Sequence, residues 1–317
     1  MDTTQQKLFE IFHPYALQKR QELIERSGRF VHYTSAEAAF SILSSRQVWM
    51  RKSSIMNDFS EIRYGKQLLS DALDGPPGNA LRKALDAVFP GSFDSINSQL
   101  DLMTCYADQD TFITSISEHD DDEDSLGRLS MWRAYGGSAG VALVMNNTVF
   151  TRPSDALRAY TSPVAYFDKS RFFDECIKIA KEIEREASFL LQIGRETTEQ
   201  AAVEMMRQAV LCTKHRGFRE EREWRVVYSP AIEISTKIKC EIKSVRGIPQ
   251  PVCLIPLENY PEEDFVGADI SDLIDRIIIG PTQYPSALYE AFCRVLTAAG
   301  VTSPHRLISV SDIPLRT

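Results

Sequence analysis

The sequence predicts an α+β fold: mixed or antiparallel central sheets, an N-terminal helix and inserted helices. Three observations lead there. Short runs rich in aromatic and β-branched residues stand near both ends of the chain, and long stretches with apolar residues at helical spacing lie between them. The two kinds of element do not alternate as they would in a regular βαβ sheet. The chain has 317 residues, enough to bury a sizeable core.

Taken in order, Leu8, Phe9, Ile11, Phe12, Leu17, Leu23 and Ile24 recur at broadly helical spacing over Thr4 to Arg26. Pro14 interrupts that pattern, which predicts two short helices or one kinked helix. Phe30 to Thr34 reads as a strand, Ser35 as an N-cap for a helix over Ala36 to Ser44, and Val48 to Arg51 as a second strand. A helix from Phe59 to Leu73 is stopped by Gly75-Pro76-Pro77, and two more helical patterns flank Pro90-Gly91. Strands are predicted at Thr111 to Ser117, Gly140 to Met145 and Ala159 to Phe167. A pair of helices follows over Lys169 to Arg216, broken near Gly194. The last third reads as strands at Glu223 to Tyr228, Ile232 to Val245, Val252 to Pro256 and Arg276 to Ile279, then a helix over Ser286 to Ala299 and a strand over Arg306 to Val310. The expected organisation is an N-terminal helical segment, 1–29, and one α+β domain, 30–317, with helical insertions near 78–107 and 169–216.

Thirty-six Lys and Arg against 44 Asp and Glu give a net charge of -8, which argues against a general nucleic-acid coat. Met1 to Lys7 is polar and lacks the plan of a signal peptide, and neither end carries an apolar membrane span. No membrane association and a cytoplasmic location are therefore expected. The six cysteines are dispersed without a CxxC clip, so they read as small buried hydrophobes. The five histidines are equally scattered, HExxH is absent, and no metal is expected. Gly136-Gly137-Ser138-Ala139-Gly140 lacks the Lys-Ser/Thr of a P-loop and leads into a strand. The acidic run Asp120 to Asp124 reads first as a solvated loop, with a cation site as the lesser alternative.

Four stretches combine polar residues with strand ends, where chemistry is often placed. In His32-Tyr33-Thr34, alternation puts His32 and Thr34 on one face and Tyr33 on the other. Asn57-Asp58 opens a helix with Glu61 in its first turn, for which a helix cap is the simpler explanation. Trp132 and Tyr135 are three apart, sharing a face of a helical turn as a packed corner or a stacking platform. In Phe218 to Arg225, an extended chain lines Glu221, Glu223 and Arg225 along one face, where Arg225 could hold a carboxylate or simply join surface ion pairs.

The succession His32-Tyr33-Thr34, Asn57-Asp58, Ser117-Glu118, Met131-Trp132…Tyr135…Gly140, Glu221 to Arg225 and the late Ser311-Asp312-Ile313-Pro314 resembles a bacterial family, the domain-of-unknown-function family twenty-nine seventy-one. The likeness spans roughly residues 30 to 316. More distantly, the order resembles ADP-ribosyltransferase-like domains, and that core is what the likeness implies for the fold. The resemblance implies NAD as the substrate. His32 would hold its adenosine ribose, with Tyr33, Thr34, Asn57, Ser117 and Arg225 lining the site. Trp132 or Tyr135 would flank the nicotinamide, and Glu221 or Glu223 would stabilise an oxocarbenium-like state. The usual Ser-Thr-Ser segment is lacking unless Thr114-Ser115-Ile116-Ser117 serves.

The expected function is an NAD-consuming enzyme, an ADP-ribosyltransferase or NAD glycohydrolase, in a bacterial toxin or antiphage role and with a protein or nucleic-acid acceptor. The alternatives are a non-catalytic sensor that binds a nucleotide in the same pocket, and a nuclease holding Mg²⁺ on Asp58, Glu61, Glu221 and Glu223. The enzyme reading requires His32, the Trp132/Tyr135 turn and the two glutamates to meet in one cleft.

Overall fold

Proline has no N–H to donate and its ring clashes with the preceding turn, so Pro14 starts a helix instead of continuing one. Helix α1 accordingly runs Thr3–Phe12 and α2 runs Pro14–Glu25. The computed structural model describes residues 3–55, 59–107, 110–152, 154–245 and 247–314. Strand β1 (Arg29–Ser35) leads into α3 (Ala36–Ser45), whose N-cap Ser35 accepts the Ala38 N–H at 3.2 Å as the sequence predicts. Then come β2 (Gln47–Lys52), α4 (Phe59–Leu73), α5 (Pro76–Val88), α6 (Ser92–Ala107) and β3 (Phe112–His119). Pro76 and Pro77 stop α4 by opening the next helix. The middle of the chain forms α7 (Leu129–Met131), β4 (Gly140–Met145), α8 (Thr148–Thr151), β5 (Ala159–Pro163) and β6 (Ala165–Tyr166). The second insertion is three helices, not two: α9 (Lys169–Arg185), α10 (Ala187–Ile193) and α11 (Arg195–Leu211). After β7 (Thr213–Lys214) come β8 (Glu223–Tyr228), β9 (Lys239–Val245), β10 (Ile248–Pro256), α12 (Ile270–Leu273), β11 (Ile274–Ile279), α13 (Pro285–Ala298) and β12 (Ile308–Val310).

Ten of these strands form one sheet, in the order β12-β11-β4-β1-β3-β2-β10-β9, with β8 paired to β3 and β5 to β8. All its pairings are antiparallel except β11 with β12, so the sheet is mixed but mostly antiparallel. Strand β3 is the branch point. Its last residues pair with β1, its first two with β2, and its other edge with β8. The sheet therefore parts between β1 and β2.

Register assigns the faces, because residues directly opposite in a ladder point the same way. Val31 pairs with Ser117, and Ser117 with Glu223. Their face meets a helical layer, in which Ile113 and Val227 pack with Ile11, Phe12 and the buried sides of α4, α5, α6, α9 and α11. Gly65 of α4 lies so close to α11 that a Cβ there would stand 2.4 Å from the Val210 carbonyl oxygen. The opposite face carries Phe30, Ile116, Leu143 and Trp224 beneath Leu23 of α2, α3 and α13. Residues of 1–29 thus contribute to the cores on both sides of the sheet.

Three sequence expectations change here. The strand expected over Ile232 to Val245 begins only at Lys239, because the Ile232 and Glu233 N–H groups fold back onto the Ser229 carbonyl. The acidic run is solvated only in part: Asp121 and Asp122 stay exposed, while Asp120, Glu123 and Asp124 are half-buried in ion pairs. Asp120 pairs with Arg26 and Arg222, Asp121 and Asp124 with Arg29, and Glu123 with Arg128 and Arg222. Arg128 close by and Arg26, Arg29 and Arg222, distant in sequence, convert a repulsive run into a clasp. Two of the dispersed cysteines, Cys240 and Cys253, are directly opposite across β9 and β10 and form a disulfide. Among the described residues, no helix is long and apolar enough to cross a membrane.

Candidate functional site

The predicted site residues fall on two faces of one sheet. Tyr33, Ser117, Glu223 and Arg225 share the face under the helical layer, because Ser117 opposes Glu223 and Ser115 opposes Arg225. His32, Thr34, Thr114 and Ile116 point the other way. A single cleft containing His32 and both glutamates is therefore not formed. The reason is the two-residue period of a strand, which separates His32 from Tyr33. Asn57 and Asp58 lie outside the described residues.

On the helical side, five charged groups meet at the seam between β8 and α4. The ammonium of Lys214 lies 2.7 Å from Glu61, 2.6 Å from Glu221 and 3.2 Å from Glu223. Arg225 pairs with Glu61 and, through Nε at 2.9 Å, with Glu223. The Ser115 hydroxyl donates at 2.6 Å to Glu223 Oε1, the oxygen that also accepts from Arg225 Nε, while Lys214 lies on Oε2. Burial alone would raise the Glu223 pKa, but Arg225 and Lys214 outweigh it and bring the carboxyl down to about 2. The same carboxylates keep Lys214 and Arg225 protonated against their burial. Glu61, Glu221 and Glu223 do come together as the metal-dependent alternative requires, yet the Lys214 ammonium occupies the point where they converge. Among the described residues, no group of three or more His, Cys, Asp or Glu is arranged to hold a metal ion.

The aromatic pair separates. Residues Trp132–Gly136 form one wide π-type turn, which removes the shared face that spacing three has in an α-helix. Trp132 is buried, edge-on to Tyr33 with centroids 4.8 Å apart, while Tyr135 is 44% exposed. The indole N–H donates to the Leu126 carbonyl at 2.9 Å, and Gly280 comes so close to the ring that a Cβ there would stand 2.8 Å from it. Arg128 links this corner to the glutamates. Its backbone N–H donates to the Tyr33 hydroxyl, and its guanidinium to the carbonyls of Glu118, Glu220 and Glu221.

On the other face, beside the parting of β1 and β2, lies a cavity of about 530 Å³. Its walls are mostly apolar, with Ile116, Leu143, Phe150 and Val226 among them, and its polar lining includes Arg20, His32, Thr114 and Thr161. Thr114, Val226 and Thr161 are register partners across β3, β8 and β5, so the two hydroxyl side chains share a row. The His32 Nδ1 lies 2.9 Å from the Ser115 carbonyl, which can only accept. Nδ1 therefore carries the proton. Burial holds the imidazole pKa below its ordinary value, partly opposed by that hydrogen bond. The ring is neutral at pH 7, and Nε2 is left as an acceptor.

Sequence reasoning missed Lys214, Arg128 and Arg20. The contacts that give Lys214 and Arg128 their place, with Glu61 and with the carbonyls of Glu220 and Glu221, join residues remote in sequence, and Arg20 has no carboxylate partner among the described residues. The alternation of Thr114 and Ile116 within β3 was the available signal for the cavity floor.

Residues 131–226 match the model of a family described as "Protein of unknown function (DUF2971)". The matched stretch includes Trp132, Tyr135, Glu221, Glu223 and Arg225 but not His32, Tyr33, Thr34 or Ser117, and it is less than half of the chain. No curated protein and no solved structure matches the chain.

Proposed function

We propose that the chain binds a small molecule of the nucleotide class, with NAD the first to test, in the cavity beside His32. One observation supports this most: a space of about 530 Å³ whose walls suit a flat ring and whose polar row suits a sugar. Pockets that enclose a drug-sized ligand fall in the range of about 300–1,000 Å³ and combine apolar walls with a few placed polar groups. Nε2 of the neutral His32 accepts from a ribose hydroxyl, and the hydroxyls of Thr114 and Thr161 can donate or accept.

Binding to the folded state alone raises stability, by about 2.7 kcal/mol when the ligand is at a hundredfold excess over Kd. NAD, ADP and adenosine should therefore be titrated while the melting temperature is followed. Thr161→Phe, which puts a ring into the open space, should fold normally and lose the ligand-induced rise. If no rise appears in the unsubstituted protein, or if Thr161→Phe keeps it, the cavity is not a nucleotide site.

A second reading, an ADP-ribosyltransferase or NAD glycohydrolase that does without His32 and the Trp132/Tyr135 platform, rests on a different observation. Tyr33, Ser117, Glu223 and Arg225 gather on the opposite face, with Ser115 donating to Glu223 at 2.6 Å. An ionised carboxylate beside a ribose would stabilise the positive charge that develops as nicotinamide leaves. On this reading Glu223→Gln or Glu221→Gln lowers nicotinamide release by about two powers of ten or more, with binding retained. Full turnover in both variants would remove it.

A further inference from the structure

Arg20 of α2 lines the cavity, and its Nε is shut off from solvent without a hydrogen-bond partner. Among the described residues no carboxylate pairs with it; its guanidinium sits over the Phe9 ring, 5.0 Å from the centroid. The carboxylates that line the same cavity, Asp155, Glu233, Glu263 and Asp264, are all exposed. Two of them are already paired, Glu233 with Arg158 and Glu263 with Lys237. Arg20 as a whole is half-buried, and a guanidinium partly withdrawn from water without a counter-ion costs stability. Two other arginines line the cavity: Arg158 is paired with Glu233, and Arg152 has no carboxylate partner among the described residues but is exposed to water, so Arg20 is set apart by its solvent-excluded Nε.

We propose that Arg20 is the specificity-determining residue of the cavity and that its missing partner is an anionic oxygen of the ligand, a phosphate or carboxylate carried on the ring-bearing body. This rests on the reading of the cavity as a ligand site and adds to it the charge class of the ligand. The guanidinium fork meets such a group with two donors, and it does so in a largely apolar space where the contact is strong. His32, with its acceptor Nε2, discriminates hydroxyls, whereas Arg20 discriminates charge.

The test compares ADP with adenosine on the full chain, unsubstituted and as Arg20→Met, which keeps an unbranched apolar stem without the charge. The unsubstituted protein should bind ADP about tenfold or more tightly than adenosine, the scale of one charge-assisted hydrogen bond. Arg20→Met should bind the two alike, with adenosine affinity unchanged. Without ligand, Arg20→Met should melt higher than the unsubstituted protein, since it removes an uncompensated charge. Preference for ADP surviving in Arg20→Met would overturn the proposal and leave the cavity reading standing. A lower melting temperature without ligand would overturn it too, because Arg20 would then be holding the fold. Failure of the unsubstituted protein to bind either compound would overturn the cavity reading and this proposal together.

Discussion

Lys214→Met should destabilise the fold by about 3–5 kcal/mol, the cost of removing one partner from a buried ion pair. The Lys214 side chain is 2% exposed, and its ammonium is the contact shared by Glu61, Glu221 and Glu223. Without it, three carboxylates would face Arg225 alone at the seam between β8 and α4. Chemical denaturation read by circular dichroism measures the effect. A loss below about 1 kcal/mol, the range of surface pairs, would mean that water reaches the seam. The same network fixes the acid limb of stability. The folded Glu223 carboxyl titrates at about 2, below its ordinary value of 4.5. Its contribution is therefore complete above about pH 4.5 and is lost as the pH falls through 2. Glu223→Gln should flatten that part of the profile.

Trp132→Ala should cost about 3–5 kcal/mol, the loss on truncating a large buried aromatic. The indole is 6% exposed and fills a corner made with Tyr33, Met131, Ala142, Val144 and Ile278. It also holds Leu126 through its N–H. Since the ring is packed as core, Trp132→Ala should lower the melting temperature whether or not nucleotide is present. An unchanged melting temperature with lost binding would identify the ring as a ligand platform instead.

Much of the secondary structure was legible because it is written locally. The alternation in Phe30 to Thr34, the apolar run Gly140 to Met145 and the period of Phe59 to Leu73 each fix an element without outside help. Ser35 was legible as a cap because its partner, Ala38, is three residues away. The acidic run was misread since Arg26, Arg29 and Arg222 reach it from parts of the chain remote in sequence. The site was legible in part. The sequence marked Glu221, Glu223 and Arg225 as a charged strand face, and the structure completes that face with Lys214 and Glu61.

By itself, then, the sequence determined the α+β class, the element types and the alternation that sets His32 and Thr34 against Tyr33, because these depend on near neighbours and on the pleat. Only the tertiary structure decided which face each strand turns to which layer. The pairing of β3 with both β1 and β8 carried Tyr33 and Glu223 to the helical side and left His32 over the cavity. It also decided which charges are paired, satisfying Lys214 three times over and leaving Arg20 without a carboxylate. Charge pairing is settled by distance in space, and in a sheet whose neighbours are not consecutive in the chain that distance is invisible in one dimension.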